Sequence, residues 1–209
     1  MNINFKLIAV AVVLVICGVS SGVMAQQPTT VQTVRVIRYQ GDFAMLLAAL
    51  PNTYGVTVGV ELNTQPLQQV NVSLMDATLS DVMNATIQSS KRYEWREAGG
   101  FVDVWPLAGG NPLLETPISS FHVKDLSLSQ AFDQLFNLPE VQANMKAMNL
   151  KQRAPDVYTG KMSNSSFSVN VDGVSLRQAL NKIAQESGIG IWIFRNYANG
   201  FFSISTIER

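Results

Sequence analysis

Cysteine and histidine are almost absent from this chain: Cys17 and His122 are its only ones. A single thiol closes no intramolecular disulfide, and a single imidazole does not make the three or four convergent ligands of a zinc site. A carboxylate-only site drawn from Asp42, Asp76, Asp81, Asp172 or Glu186 has no recognisable ligand spacing. Nucleophilic hydrolysis is disfavoured too, because neither G-x-S-x-G nor S-x-x-K occurs beyond residue 25 and His122 would have to serve every role. The glycine pairs Gly99-Gly100 and Gly109-Gly110 fall in a hairpin turn and a linker, so neither opens a helix as a phosphate loop must. Charge is scarce and even: charged residues are 14% of the chain, with 15 basic and 15 acidic. Without a basic excess, nucleic acid is not an expected partner. With so few charges, much of the surface must be neutral, which suits contact with other proteins.

What is present begins with an export signal. Lys6 is the one charge before an apolar run from Leu7 to about Val19, and small residues follow up to Val23-Met24-Ala25. Cleavage after Ala25 is expected, giving a signal peptide over 1–25 and removing Cys17. An uncleaved inner-membrane anchor is the lesser reading, because the run is shorter than the roughly 18 to 20 residues that a span needs. The expected location is therefore the periplasm, with no membrane span after cleavage.

The rest of the chain says one thing twice. Setting Thr78-Leu79 on Ser175-Leu176 places, without a gap, Val72 on Val169, Leu74 on Val171, Val82 on Ala179, Met83 on Leu180, Ser90 on Ser187 and Trp95 on Trp192. Upstream, Phe43 falls on Leu128, Leu47 on Phe132 and Leu50 on Leu135, at a shorter offset, so the second copy carries an insertion at about 137–166. Two similar domains are expected, over 31–107 and 117–209, joined by a Gly- and Pro-rich linker at 108–116. Each copy reads locally as β-α-β-β-α-β-β. A short strand (Val34 to Tyr39, or Ile118 to Val123) leads to a helix capped by Asp42 or Ser127. Two more strands and a helix opened by Thr78 or Ser175 follow, and a hairpin turning at Gly99-Gly100 or Asn199-Gly200 closes the unit. The predicted class is α+β, with two helices on one face of a small mixed sheet in each module.

This pattern of "LSLSQAFDQL", a strand ending near "VNV", the cap-and-leucine steps "ATLSDVM" and "VSLRQAL", and "SGI" before a hairpin resembles the short N-terminal domain shared by secretins and TonB-dependent receptors. The resemblance covers both halves. It implies a periplasmic domain that contacts other proteins, such as inner-membrane assembly components or anti-sigma regulators, and it carries no catalytic signature. No secretin pore or receptor barrel follows in this chain, so a free-standing pair of modules is the expectation.

Candidate contact residues come from the last hairpin and the insertion. In "YEWRE", alternation puts Tyr93 and Trp95 on one face, expected to be core. In "IGIWIF" both faces are apolar, with Ile189, Ile191 and Ile193 on one and Trp192 and Phe194 on the other. If the isoleucines fill the domain's own core, the alignment slips by one residue, and Trp192 and Phe194 point away from their helices. They are then covered by the first domain, the insertion or a partner. Tyr197 and Phe201 widen that patch. Met145 and Met148 of the insertion, with Val141 and Leu150, form the apolar side of a helix and are a second candidate surface. The open edges of small sheets offer strand addition as a third mode. The expected function is non-enzymatic binding of envelope or periplasmic proteins, without a cofactor, as an adaptor or accessory of secretion or TonB-type signalling. The alternative is a peptidoglycan or other glycan binder that stacks sugars on the aromatic hairpin.

Overall fold

The computed structural model describes residues 33–63, 68–153, 166–197 and 199–208. The fold is α+β, and residues 31–209 form one compact unit. The first half runs β1 (Val34–Asp42), α1 (Phe43–Tyr54), β2 (Thr57–Asn63), β3 (Gln69–Ala77), α2 (Leu79–Ser90), β4 (Tyr93–Ala98) and β5 (Phe101–Pro106). The second runs β6 (Pro117–Leu126), α3 (Leu128–Phe136), α4 (Pro139–Ala147), β7 (Lys151–Gln152), β8 (Phe167–Ser175), α5 (Leu176–Glu186), β9 (Ile189–Asn196) and β10 (Phe201–Glu208). Apart from α4, the element order is the same in both halves.

The helix starts are set by local chemistry. Asp42 accepts bonds from the backbone N–H groups of Ala44 and Met45, satisfying donors that the first turn of α1 leaves free. Thr78 with Asp81, Ser127 with Gln130 and Ser175 with Gln178 each form a reciprocal capping box at α2, α3 and α5. α2 stops at Lys91, which takes a left-handed conformation, while Gly188 takes it in the link between α5 and β9.

Sheet pairing differs from the single mixed sheet expected in each half. β1 and β3 form their own antiparallel pair, as do β6 and β8. The remaining strands build one six-stranded sheet in the order β4-β5-β2-β9-β10-β7. Each half supplies three consecutive strands, an antiparallel hairpin followed by a parallel neighbour, and the join is the parallel pairing of β2 with β9. Because β9 runs parallel to β2 whereas β4 runs antiparallel to it, the second triple is turned over relative to the first. The helices of the two halves therefore cover opposite faces of the sheet.

That inversion explains the apolar strands at the join. One core gathers Phe43, Leu47, Leu50, Val58, Val60, Val82 and Met83 with Ile191 and Ile193 of β9. The other gathers Phe132, Leu135, Leu180 and Ile183 with Trp192, Phe194 and Phe202. β2 and β9 are thus buried on both sides, and each buried aliphatic side chain contributes about 1.5 to 3 kcal/mol. Segment 108–116, expected as a linker, is packed: Leu113 and Leu114, in a 3-10 turn at Pro112–Glu115, lie wholly inside the second core. In the insertion, α4 buries Val141 and Met145, and the short β7 follows it; residues 154–165 of that insertion lie outside the described residues. Among the described residues no helix is long and apolar enough to cross a membrane. The proposed signal peptide lies outside them.

Candidate functional site

Half of the six residues nominated from sequence are enclosed. Trp192 and Phe194 are fully buried against their own half's helices, with Phe194 stacked on Phe202 at 5.2 Å between ring centroids. The alignment therefore does not slip: the isoleucines Ile191 and Ile193 face the other half's core, and the aromatics face their own. This corrects the expected outward aromatic patch, and the reason is that β9 is an inner strand with both faces covered. Met145 is buried and Met148 packs partly buried on the same core. Tyr197 and Phe201 are half-buried at the hairpin's end, where the Arg153 guanidinium lies 5.6 Å from the Tyr197 ring centroid.

Two polar groups that sequence reasoning passed over mark the join. Glu61 on β2 and Arg177 on α5 are each about 3% exposed, and Arg177 Nη2 donates to Glu61 Oε2 at 3.3 Å. Asn111 N–H donates to Glu61 Oε1 at 2.7 Å, and Arg177 Nε donates to Glu115 at 2.9 Å. Burial pushes the Glu61 carboxyl above its ordinary 4.5, against the opposing pull of the Arg177 charge and these bonds. Arg177 Nη1 meets no acceptor among the described residues, so the pair is incompletely satisfied. Gly110 completes the seam: a Cβ there would come within 3.1 Å of Glu61 Oε2 and 3.2 Å of Arg177 Nη2.

Beside that pair lies a second buried network. Trp192 Nε1 donates to Asn181 Oδ1 at 2.7 Å, and Asn181 Nδ2 donates to Asp103 Oδ1 on β5 at 2.9 Å. The other Asp103 oxygen accepts from Arg96 at 3.2 Å. The indole lies across Gly59 of β2, where a Cβ would fall 2.5 Å from Trp192 Cζ2. Only glycine lets β2 pass beneath it.

The same device occurs in the first half without its cover. Trp95 Nε1 on β4 donates to Asn84 Oδ1 on α2 at 3.1 Å, across the same eleven-residue spacing as Trp192 and Asn181. Here Asn84 is exposed and Trp95 half-buried. Among the described residues β4 ends the sheet, pairing only with β5. A sequence signal existed for this pair, since the alignment that sets Trp95 on Trp192 also sets Asn84 on Asn181.

His122 is the remaining chemical candidate. Its Nε2 lies 2.8 Å from Asp172 Oδ1, and it lines an open groove of about 510 Å³ with Ser120, Asp133 and the α3–α4 turn. Both members of the pair are more than half exposed, on facing strands of the β6–β8 sheet. In a hydrolytic triad the imidazole nitrogen facing the nucleophile is not the one held by the acid; here Asp172 occupies Nε2, and the pair reads as a solvated cross-strand contact. Among the described residues no three His, Cys, Asp or Glu side chains converge as metal ligands. Tyr54 has its hydroxyl pKa pushed up to about 12 by burial and then by the Asp81 charge, and it donates to Ala77 O at 3.0 Å in a structural role.

No family model, curated protein or solved structure matches this chain.

Proposed function

We propose that the chain is a non-enzymatic periplasmic protein-interaction module, an adaptor or accessory of an envelope secretion or TonB-type signalling system. The observation that carries this reading is the set of sheet edges without a neighbouring strand among the described residues: the outer sides of β4 and β7, and those of the two-stranded β1–β3 and β6–β8 pairs. Unpaired edges are templates for another chain. The β1–β3 pair also exposes Val36 (45%) directly opposite Met75 (76%), an apolar spot on a face that water would otherwise favour as polar. The buried charges are engaged in holding the halves together, as the Glu61–Arg177 and Asp103–Asn181 contacts illustrate. The last hairpin lends the glycan alternative less support than it lends protein contact, since Trp192 and Phe194 are enclosed and Arg153 lies over Tyr197.

The test is fractionation of the tagged full chain, followed by photo-crosslinking in intact cells from an unnatural residue at Met75, Leu107 or Gln88, with Phe194 as the enclosed control. The expected outcome is a processed chain in the periplasm and one discrete heavier species from an exposed position, absent from the control. Retention in the cytoplasm, or no cross-linked species from any exposed position, sinks the reading.

A further inference from the structure

Within this one chain the same surface is present covered and uncovered. In the second half, α5 and β9 present Asn181 and Trp192, and the parallel strand β2 lies against β9 with Gly59 beneath the indole. In the first half, α2 and β4 present Asn84 and Trp95 with the same hydrogen bond, and among the described residues no strand pairs with the outer side of β4. We propose that the β4 edge is a docking site for an extended segment of a partner protein, added parallel to β4 with a glycine opposite Trp95.

The inner join supplies the chemistry of the occupant. A side chain larger than hydrogen opposite the indole is excluded at β2, where a Cβ would meet Trp192 and Asn181 Oδ1 at 2.5 and 2.8 Å. The far side of the new strand differs from the inner join. Ile191 and Ile193 of β9 lie under α1, whereas the residues aligned with them on β4 are Glu94 and Arg96, which no helix covers. The segments flanking the partner's glycine are therefore polar or charged, complementary to Glu94 and Arg96.

A second copy of this chain is a poorer occupant. Its matching edge is β7, which among the described residues spans only Lys151 and Gln152, opposite Phe201 and Phe202 of β10. The registers that set Trp95 on Trp192 place Asp103, the residue opposite Gly59, on Ser205, so the described part of β7 does not reach the level of the glycine.

This inference rests on the protein-contact reading and specifies one of its surfaces. The experiment is an NMR titration of the intact processed chain with the peptide TKGEE between solubilising lysines: the Thr57 to Glu61 strand that covers the twin surface, with lysine in place of Val58 to face Glu94 and glutamate in place of Val60 to face Arg96. The expected result is shifts confined to α2, β4 and the Trp95 indole N–H. Asn84→Ala and Trp95→Ala should weaken binding, and a peptide with valine at the glycine should bind about tenfold more weakly or worse. No shift at millimolar peptide, equal binding of the valine peptide, or shifts at α5 and β9 instead would each overturn the proposal. So would concentration-dependent self-association through β4 without peptide. The crosslinking at Met75, Leu107 and Gln88 is independent of this titration: a captured partner with a silent peptide leaves the general reading standing, and a responsive peptide with no partner does the reverse.

Discussion

β4 and β9 occupy the same place in their halves, follow helices with the same capping box, and carry a tryptophan that donates to an asparagine on that helix. One ends the sheet and the other lies in its middle. Their compositions follow from that position alone. β9 is apolar on both faces because helices of both halves cover it, whereas β4 keeps Tyr93 and Trp95 on the covered side and Glu94, Arg96 and Glu97 toward water. Charges of this kind also guard an edge against indiscriminate pairing. The difference teaches that two strands of the same local design are specialised by what lies beside them, through their outward residues.

The widest separation of the twins is expected at the tryptophans. Trp192→Ala empties a fully enclosed site and should cost about 3 to 5 kcal/mol, whereas Trp95→Ala should cost no more than about half of that. Urea unfolding of the two variants measures it, and equal losses would break the comparison. Next comes the join itself. Arg177→Met leaves the Glu61 carboxylate buried without its cation, a change worth about 3 kcal/mol, and adding Glu61→Gln should restore much of the loss in a double-mutant cycle.

Gly59→Val drives a side chain into the Trp192 indole and should destabilise by about 1 to 3 kcal/mol, read from the same unfolding curves. Smaller effects should separate the asparagines. Asn181→Ala strands the buried Trp192 N–H and one Asp103 oxygen, for about 2 kcal/mol, and Asn84→Ala on the exposed twin should cost about a quarter of that. A pH series sharpens the role of Glu61. Its folded pKa lies above the ordinary 4.5, so the folded state holds the proton more tightly than the unfolded chain. Its contribution is fully present below about pH 4.5 and is lost as pH rises through the folded value. The stability of the wild type relative to Glu61→Gln should therefore fall with rising pH from 4.5 upward, and a flat or rising difference would remove Glu61 from this role.

Much of the local structure was legible because local rules dictate it. Asp42, Thr78, Ser127 and Ser175 are caps whose side chains bond N–H groups two or three residues on, and the stripe of Phe43, Leu46, Leu47 and Leu50 is buried as its helical spacing requires. The site was less legible. Trp192 and Phe194 drew attention as aromatics without a home, and their home depends on which strand lies beside β9. Asn84 and Asn181 were missed because an asparagine on a helix is unremarkable until its partner eleven residues on is known to be an indole. Glu61 and Arg177 are 116 residues apart, and nothing local pairs them.

The sequence by itself determined the α+β class, the starts of α1, α2, α3 and α5, and the apolar stripe of α1. All of these rest on contacts within a few residues or on the period of apolar side chains. Tertiary structure alone decided that the strands of the described residues divide among three sheets, that β2 joins β9 in parallel, and that the second half is turned over so that its helices cover the opposite face. That choice depends on Gly59 fitting beneath Trp192 and on Glu61 meeting Arg177, contacts between residues far apart in the chain whose free energy exists only once the two halves are side by side.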